Sequence, residues 1–300
     1  MILTLAALLV LSASLRSAAG SGRVIAVKSG DLALYDAAIR AFQERIDRPV
    51  DVLSLHDDPA SSSETIDAIR SHAPSLVLAF GAQAASLVHA ETPWVPLVFA
   101  RVLAPERYGL AGETVTGVRQ LVPPLAQLKL LRKLVPSVRR VGVPFNPDLM
   151  RGLVDEATAA ARALDLSLRL VPCRDKRDAG GVLASVLDRV DALWVPPDPT
   201  FINPETAPLL LQLARTHRIP LMVHTDELVA RGALVSLYVD DRQLGSAVAG
   251  VAGKVLSGAR PCDVPVADPP ESLAINLTLA RELGVDVPRE VLSQATRVVP

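Results

Sequence analysis

The sequence has few of the residues that characterise several large classes of protein. Its only cysteines, Cys173 and Cys262, are far apart, so they predict neither a metal site nor a framework of disulfides, and the sequence leaves open whether they pair. Aromatic residues make up 3% of the chain, which leaves few rings on which bases or sugars can stack. Basic and acidic residues nearly balance, at 31 and 32, without a dense basic run. Nucleic acid is therefore not an expected partner.

Signature motifs of common enzyme classes are missing as well. The chain has no glycine-rich dinucleotide fingerprint, no P-loop, no G-x-S-x-G elbow and no H-E-x-x-H pair. Its five histidines are scattered, without the spacing of metal ligands. We therefore predict that the chain is not an enzyme, and we assign it no catalytic residue, no metal and no cofactor.

The beginning of the chain has the composition of an export signal. Residues 2–15 are apolar or small, and the small side chains at 17 and 19 suit cleavage after Ala19. The run is shorter than the roughly 18 apolar residues of a membrane span. No Lys or Arg precedes it and Arg16 follows it, so a start further upstream, or an unusual first strand or helix, stays open. We predict a signal peptide at residues 1–19 and a periplasmic protein without a lipoprotein cysteine.

Short apolar runs alternate with amphipathic stretches along the rest of the chain. The runs are rich in Val, Ile and Leu and mostly continuous, as in parallel strands buried on both faces. Between the first two, Leu34, Ala38, Phe42 and Ile46 line one face of a predicted helix. Strands are predicted at residues 24–27, 50–55, 76–80, 95–99, 141–143, 166–171, 192–195, 220–223 and 233–238. This strand–helix order predicts an α/β fold with right-handed crossovers and parallel sheets.

The spacing of these units is interrupted once, near the middle of the chain. Four strand–helix units are followed by a glycine-rich, irregular stretch at residues 108–116, and a second series begins near Val141. Two similar halves of this length predict two lobes rather than one eight-stranded sheet. The stretch 115–121 is then the first crossing between the lobes.

Polar side chains follow the predicted strands, and ligands of open parallel sheets bind at these strand ends. Twelve candidate ligand-binding residues lie there or on the adjoining helix: Ser29, Asp31, Tyr35, Gly81, Ala82, Gln83, Arg101, Phe145, Asn146, Asp198, Thr200 and Asp226. They are mixed in charge and include no obvious pairing of a nucleophile with a base. They therefore favour binding over catalysis.

Two of the charged candidates have competing interpretations. Arg101 can hold an anionic group of a ligand through two hydrogen bonds, it can form a salt bridge with Glu106, or it can lie in solvent at the mouth of the cleft. Asp198 lies on a proline-rich loop, where it can accept a hydrogen bond from a ligand amine or cap the helix that follows.

For three residues with ring side chains, the sequence also leaves a choice between ligand contact and a structural role. Tyr35 and Phe145 either flank a ligand or pack in the core. His224 directly follows an apolar run, and we interpret it as a structural histidine rather than as part of the site.

The second half of the sequence carries motifs of a known family. They are Val-Gly-Val-Pro-Phe-Asn-Pro at 141–147, Ala-Leu-Trp-Val-Pro-Pro-Asp at 192–198, Gly-Ala-Leu-Val-Ser at 232–236 with Asp240 and Leu244-Gly245, and Ile-Asn-Leu at 275–277 with Ala280, Leu283-Gly284 and Pro288. Together they resemble the ABC-transporter substrate-binding family that includes the tryptophan- and tyrosine-binding periplasmic proteins. The similarity in order runs from about residue 115 to the C-terminus.

The resemblance implies a type I periplasmic-binding-protein fold, with two Rossmann-like lobes, three crossings and a ligand closed between the lobes. It places residues 22–120 and about 240–270 in the first lobe, and residues 121–239 and about 271–300 in the second. It also places Asn146, Asp198 and Asp226 on the second lobe's side of the cleft. The implied partners are a small-molecule ligand and an ABC permease in the membrane, and the implied oligomeric state is a monomer.

The first half departs from the amino-acid-binding members of that family. Their third strand is followed by a Thr-Pro or Ser-Pro turn that suits a carboxylate, whereas this sequence has Gly81-Ala82-Gln83. Arg101 also stands where those members usually carry smaller residues. The identity of the ligand is therefore left open.

The leading hypothesis is an extracytoplasmic solute-binding protein that captures a small polar molecule, such as an amino acid or a similar compound, for an ABC transporter. One alternative is a ligand-sensing module for a membrane receptor or a histidine kinase. A second alternative is a Rossmann-like enzyme such as a glycosyltransferase.

Overall fold

Two β-sheets organise the computed structural model, which describes residues 22–56 and 59–300. The first sheet and its helices are β1 (Val24–Lys28), α1 (Ala33–Gln43), β2 (Val50–Ser54), α2 (Pro59–His72), β3 (Leu76–Phe80), α3 (Ala82–Glu91), β4 (Leu97–Ala100) and β5 (Val115–Gly117). Its strands run parallel in the order β2-β1-β3-β4-β5. The predicted signal peptide at residues 1–19 lies outside the described residues.

The second sheet has seven strands, in the order β12-β11-β10-β9-β8-β6-β7. In chain order its elements are α4 (Pro124–Leu134), β6 (Arg140–Phe145), α5 (Pro147–Ala163), β7 (Ser167–Pro172), α6 (Ala179–Leu187), β8 (Ala192–Trp194), α7 (Thr206–Thr216), β9 (Leu221–Val223), α8 (Asp226–Ala230), β10 (Val235–Tyr238), β11 (Ser272–Asn276), α10 (Leu277–Leu283), α11 (Arg289–Gln294) and β12 (Ala295–Val299). Every strand pair is parallel except β10–β11. The predicted α/β class with two Rossmann-like halves is confirmed, and the antiparallel β11 corrects the expectation of parallel strands throughout.

The central strands are buried because both of their faces carry helices. Every residue of β1, β3 and β4 is buried, which explains why their sequences are continuous apolar runs rather than alternating ones. The edge strands β2 and β7 contain exposed residues, among them Val52 and Leu170. All nine predicted strands are present, with ends that shift by up to two residues.

The chain passes between the two sheets three times. It leaves the first sheet after β5 and enters α4, it returns from β10 into α9 (Asp241–Leu256), and it crosses back before β11. The first and third passages are joined by a bridge between Val118 and Ala267. We call the first sheet with its helices and α9 the first lobe, and the remainder the second lobe. The lobe limits predicted at residues 120, 240 and 270 stay a prediction, and each falls in one of these passages.

Helix α9 completes the core of the first lobe by packing on α1 and on the sheet. Leu244, Val248 and Ala252 are buried in the same cluster as Ala38 and Phe42 of α1. The two helices approach closely at Gly245. A Cβ atom there would lie 2.1 Å from the carbonyl oxygen of Ala38, so the residue must be glycine for the helices to meet.

We expect Gly245→Ala to lower the free energy of unfolding by about 1–3 kcal/mol, because the new methyl group forces α9 away from α1. Gly250→Ala on the same helix is the matched control, since a Cβ atom there meets nothing within 4 Å. That control should stabilise the protein by about 0.5–1 kcal/mol through helix propensity alone. Urea denaturation measures both, and equal stability of Gly245→Ala and the parent would contradict this packing.

A chain of buried hydrogen bonds connects the second lobe to the first passage. The indole nitrogen of Trp194 in β8 donates to Gln127 Oε1 at 2.8 Å, and Gln127 Nε2 donates to the carbonyl oxygen of Val122 at 2.7 Å. Both side chains are buried, so these bonds fix where the passage leaves the second lobe. Within residues 22–56 and 59–300, no helix combines the length and the apolar character that crossing a membrane requires.

Candidate functional site

The first lobe's wall of the candidate site is built where β1 and β3 end. Ser29 follows β1, and its hydroxyl accepts a hydrogen bond of 2.9 Å from the backbone N–H of Ala84 in the first turn of α3. Gly81 follows β3 with a φ of +95°, and a Cβ atom there would lie 2.5 Å from Ser29 Oγ and 2.6 Å from the hydroxyl of Tyr35. The structure thus brings Ser29, Tyr35 and Gly81 into contact, and glycine is required for that contact.

Tyr35 and the beginning of α3 complete this wall. Tyr35 is 8% exposed and packs its ring on Phe80, with centroids 6.4 Å apart, so its ring has the packing role that the sequence left open. Burial raises the pKa of its phenol. Ala82 is the first residue of α3, and the next residue, Gln83, is exposed.

Asp31 is engaged with neighbours of its own lobe. Its carboxylate accepts a hydrogen bond of 2.7 Å from Ser54 Oγ and lies 3.0 Å from Lys28 Nζ. These hydrogen bonds, that of Ser54 first, lower the pKa of Asp31. Lys28 also binds Asp36 at 3.0 Å. Asp31 therefore lies in a charged cluster where β1 and β2 end.

Arg101 follows β4 in a strained backbone conformation, with a φ of +58°. Its side chain is 16% exposed and forms an ion pair with Asp241, the first residue of α9. The predicted alternative partner, Glu106, is thus replaced by Asp241. Burial lowers the pKa of the guanidinium, and Nε has no hydrogen-bond partner among the described residues. The charge of Arg101 is therefore already balanced within the first lobe.

The second lobe's wall contains a buried, hydrogen-bonded cluster of polar side chains. The carboxylate of Asp198 accepts hydrogen bonds from the backbone N–H of Asn146 and, at 2.8 Å, from that of Thr200. Asn146 Nδ2 donates to Thr200 Oγ1 at 3.1 Å, and Asn146 Oδ1 accepts from the N–H of Asp148 and caps α5. These hydrogen bonds connect the loop after β6 to the loop after β8.

This geometry corrects both interpretations of Asp198. The residue is completely buried, so it has no surface to offer a ligand in this conformation. It does not cap α7 either, because Asn203 Oδ1 accepts from the N–H of Thr206, the first residue of that helix. Asn146 and Thr200 are 8% and 6% exposed and bonded to each other, and their contact with a ligand stays a prediction.

The other two candidates of the second lobe have different surroundings. Phe145 is 8% exposed and belongs to the same buried cluster as Met150, so it packs in the core. Asp226 begins α8 and forms an ion pair with Arg297 of β12, so the C-terminal strand holds it in place.

A cavity of about 480 Å³ lies between the lobes, beside the first two passages. Its lining follows β4, β8, β9 and β10 and includes both passages: Leu34, Arg101, residues 120–122, Gln127, Pro197, residues 224–227 and residues 237–241. Of the twelve predicted site residues, Arg101 and Asp226 line this cavity. For the other candidates except the fully buried Asp198, contact with a ligand stays a prediction.

His224 is a lining residue that the sequence interpretation missed. Burial lowers the pKa of its imidazole to about 4, although the carbonyl of Val195 favours the protonated form, and Nδ1 is buried without a hydrogen-bond partner among the described residues. The ring is therefore neutral at pH 7. The sequence did contain a signal for His224, because it directly follows an apolar strand. The rule that ligands bind beyond strand ends selected Asp226 after that same strand.

A larger opening of about 690 Å³ lies on the other side of the first passage. It separates the loop 102–107 from α5, and Arg107 spans it with a hydrogen bond of 3.3 Å to the carbonyl of Leu149. None of the twelve predicted residues lines it. It also lies between the lobes, since its lining combines the loop after β4 with residues 119–124 and with α5. We place the site in the smaller cavity because two of the predicted residues, Arg101 and Asp226, line it.

The part of the chain that the structure describes contains no evident metal-binding site. No group of three or more His, Cys, Asp or Glu side chains there is arranged to hold a metal ion. The two cysteines are free thiols, with Cys173 buried and Cys262 exposed.

Comparisons with known proteins agree with this fold. Residues 38–299 match the family model described as ABC transporter substrate binding protein. A tyrosine-binding protein of Clostridioides difficile (strain R20291) is 22% identical over 225 residues, which cover 72% of this chain. The match spans 65% of that relative, slightly less than two thirds of its length.

Solved structures show the same fold. A domain from Streptococcus pneumonia in complex with L-Trp is 23% identical, with a TM-score of 0.66 over 92% of this chain and 100% of that one. The ligand-free, open structure of a substrate-binding protein with adhesive properties from Clostridium difficile is 20% identical, with a TM-score of 0.77 over 93% of this chain and 99% of that one. The type I periplasmic-binding-protein fold that the resemblance implied is confirmed.

Proposed function

The chain belongs to the ABC transporter substrate-binding protein family, and on that premise we propose that it captures a small polar molecule between its lobes and delivers it to a membrane permease. The observation that carries the proposal is the cavity of about 480 Å³, whose lining combines strand ends of both sheets with two of the three passages. A ligand in this cavity touches both lobes at once.

This arrangement gives a binding protein a way to respond to its ligand. The lobes are joined by short passages, so hinge motion between them is the expected form of flexibility. A ligand that contacts both walls gains its full contacts only when the lobes approach. It then has a higher affinity for the closed state, which is the condition for shifting the equilibrium.

Further parts of the proposal concern location, state and chemistry. We place the mature protein outside the cytoplasm as a monomer that acts by binding rather than by catalysis. The tyrosine-binding relative and the L-Trp complex make amino acids the first compounds to test. Turnover of a nucleotide-sugar donor would instead support the alternative of a Rossmann-like enzyme.

We expect the ligand to reduce the radius of gyration in solution scattering and to raise the melting temperature. At 100 times its dissociation constant, binding to the folded state alone stabilises the protein by about 2.7 kcal/mol. Mass spectrometry of molecules that copurify with the native protein identifies what to add. A tight ligand that leaves the scattering profile unchanged would contradict the closure of the lobes.

A further inference from the structure

The loop that follows β4 in the first lobe packs partly on the core of the second lobe. Val102 is buried in the same first-lobe cluster as Phe99, whereas its neighbour Leu103 packs on the second lobe's main hydrophobic cluster. Two residues that are adjacent in the sequence thus belong to the cores of different lobes. We call residues 101–108 the strap.

Two further side chains of the strap reach α5 of the second lobe. Arg107 Nη1 donates a hydrogen bond of 3.3 Å to the carbonyl oxygen of Leu149. Glu106 lies beside Gly152, where a Cβ atom would be 3.4 Å from the carboxylate oxygen Oε1. The strap therefore contacts the second lobe through the side chains of Leu103, Glu106 and Arg107.

The backbone of the strap is strained on both sides of Leu103. Arg101 and Ala104 have φ angles of +58° and +52°, in the left-handed region that residues with a Cβ atom rarely adopt. Such a conformation costs free energy and persists where the surrounding contacts compensate for it. The contacts of Leu103 and Arg107 with the second lobe provide that compensation.

The position of the strap determines how it responds to movement of the lobes. Leu103 and Arg107 line the larger opening of about 690 Å³, and residues 120–122 line both this opening and the cavity of about 480 Å³. The first passage thus lies between the two spaces. Because the lobes turn on their passages, a rotation that narrows the cavity widens the larger opening. Closure on a ligand therefore pulls the strap away from α5.

We propose that the strap opposes closure of the lobes, so that Leu103 and Arg107 limit the affinity for a ligand in a cavity that they do not line. The inference rests on the proposed function, since it assumes that the lobes close on a ligand in that cavity. Contacts that exist only in the open arrangement stabilise it, and they lower the population of the closed arrangement. Removing such a contact raises the closed population before any ligand is added.

The first experiment measures the arrangement of the lobes without ligand. The parent, Leu103→Ala and Arg107→Ala are freed of copurified molecules by unfolding and refolding and are studied by solution scattering. We expect both variants to have a smaller radius of gyration than the parent, because more molecules are closed. Arg151→Ala is the matched control, since it removes an exposed arginine of α5 from the lining of the same opening, and it should match the parent.

Melting curves show whether each variant is folded, and the exposed Arg107 decides the outcome if Leu103→Ala is not. A radius of gyration in Arg107→Ala that equals or exceeds that of the parent overturns the inference, whatever the protein binds.

The second experiment strengthens the strap instead of weakening it. Ala104→Gly removes the steric cost of the left-handed backbone from the strap in contact with α5, so it should hold the lobes open. The dissociation constant of L-tyrosine, measured by calorimetry, should rise by about threefold in Ala104→Gly and fall by about threefold in Arg107→Ala. L-tyrosine is the probe because a relative of this chain is a tyrosine-binding protein.

The signs of these two changes separate the strap from a general effect on the fold. Changes of the same sign in Ala104→Gly and Arg107→Ala overturn the inference. If the parent does not bind L-tyrosine, the choice of amino acid under the proposed function is wrong, and the scattering experiment decides the role of the strap by itself.

Discussion

Replacing Asp198 with alanine is expected to lower the free energy of unfolding by about 2–5 kcal/mol. The substitution leaves the buried N–H groups of Asn146 and Thr200 without an acceptor, and each such group costs about 1–3 kcal/mol. Asp198→Asn keeps one acceptor oxygen and should lose less. Chemical denaturation of the ligand-free protein measures both variants.

The control for this experiment is Asp47→Ala, at an exposed aspartate without a hydrogen bond among the described residues. It should leave stability unchanged within about 0.5 kcal/mol. If Asp198→Ala weakens ligand binding at unchanged stability, Asp198 returns to the ligand-contact role predicted from the sequence.

The stability of the protein is expected to fall by about 3 kcal/mol between pH 6.5 and pH 4 through His224 alone. Burial lowers the pKa of this imidazole in the folded state from 6.5 to about 4. Between these two pH values the imidazole of His224 binds a proton in the unfolded chain but stays neutral in the folded chain. Lowering the pH therefore favours unfolding by about 1.4 kcal/mol per pH unit. Well above pH 6.5 the imidazole is neutral in both states and the contribution is constant.

A variant separates this contribution from that of the carboxylates nearby, which are Asp226 and Glu227 on α8 and Asp240 and Asp241 at the beginning of α9. His224→Gln does not titrate, so the difference in unfolding free energy between parent and variant should change across this window by about 3 kcal/mol. His72→Gln, at an exposed histidine, should run parallel to the parent. A constant difference for His224→Gln would mean that the ring is not neutralised by burial.

The two-sheet fold was largely predictable because the sequences of buried parallel strands are continuous apolar runs. The segments that became β3 and β8 could be placed almost to the residue for that reason. Strand β12 gave no such signal, since it lies at the edge of its sheet and Thr296, Arg297 and Val298 are exposed. The direction of β11 is set by the return of the chain from the first lobe, which local sequence does not encode.

The site was only partly predictable from the sequence. The rule that ligands bind where parallel strands end gives the positions of candidate residues, but it does not give the directions in which their side chains point. It selected Asn146, Asp198 and Thr200 as ligand contacts, and the structure shows them bonded to one another across more than fifty residues of sequence. It placed Arg101 correctly at the cavity but did not reveal Asp241 as its partner. His224 was interpreted as a structural residue because it directly follows an apolar run, whereas the structure places it in the lining of the cavity.

The late position of α9 in the chain has a consequence for biosynthesis. The first sheet ends with β5, yet the helix that covers its apolar face begins at Asp241, after the strands β6 to β10 of the other sheet have been made. At ribosomal speeds of about 5–20 residues per second, an intervening segment of this length delays completion by on the order of ten seconds. For that time the part of this face that Leu244, Val248 and Ala252 cover in the finished fold stays exposed beside α1, which favours binding of the unfinished first lobe to a holding chaperone.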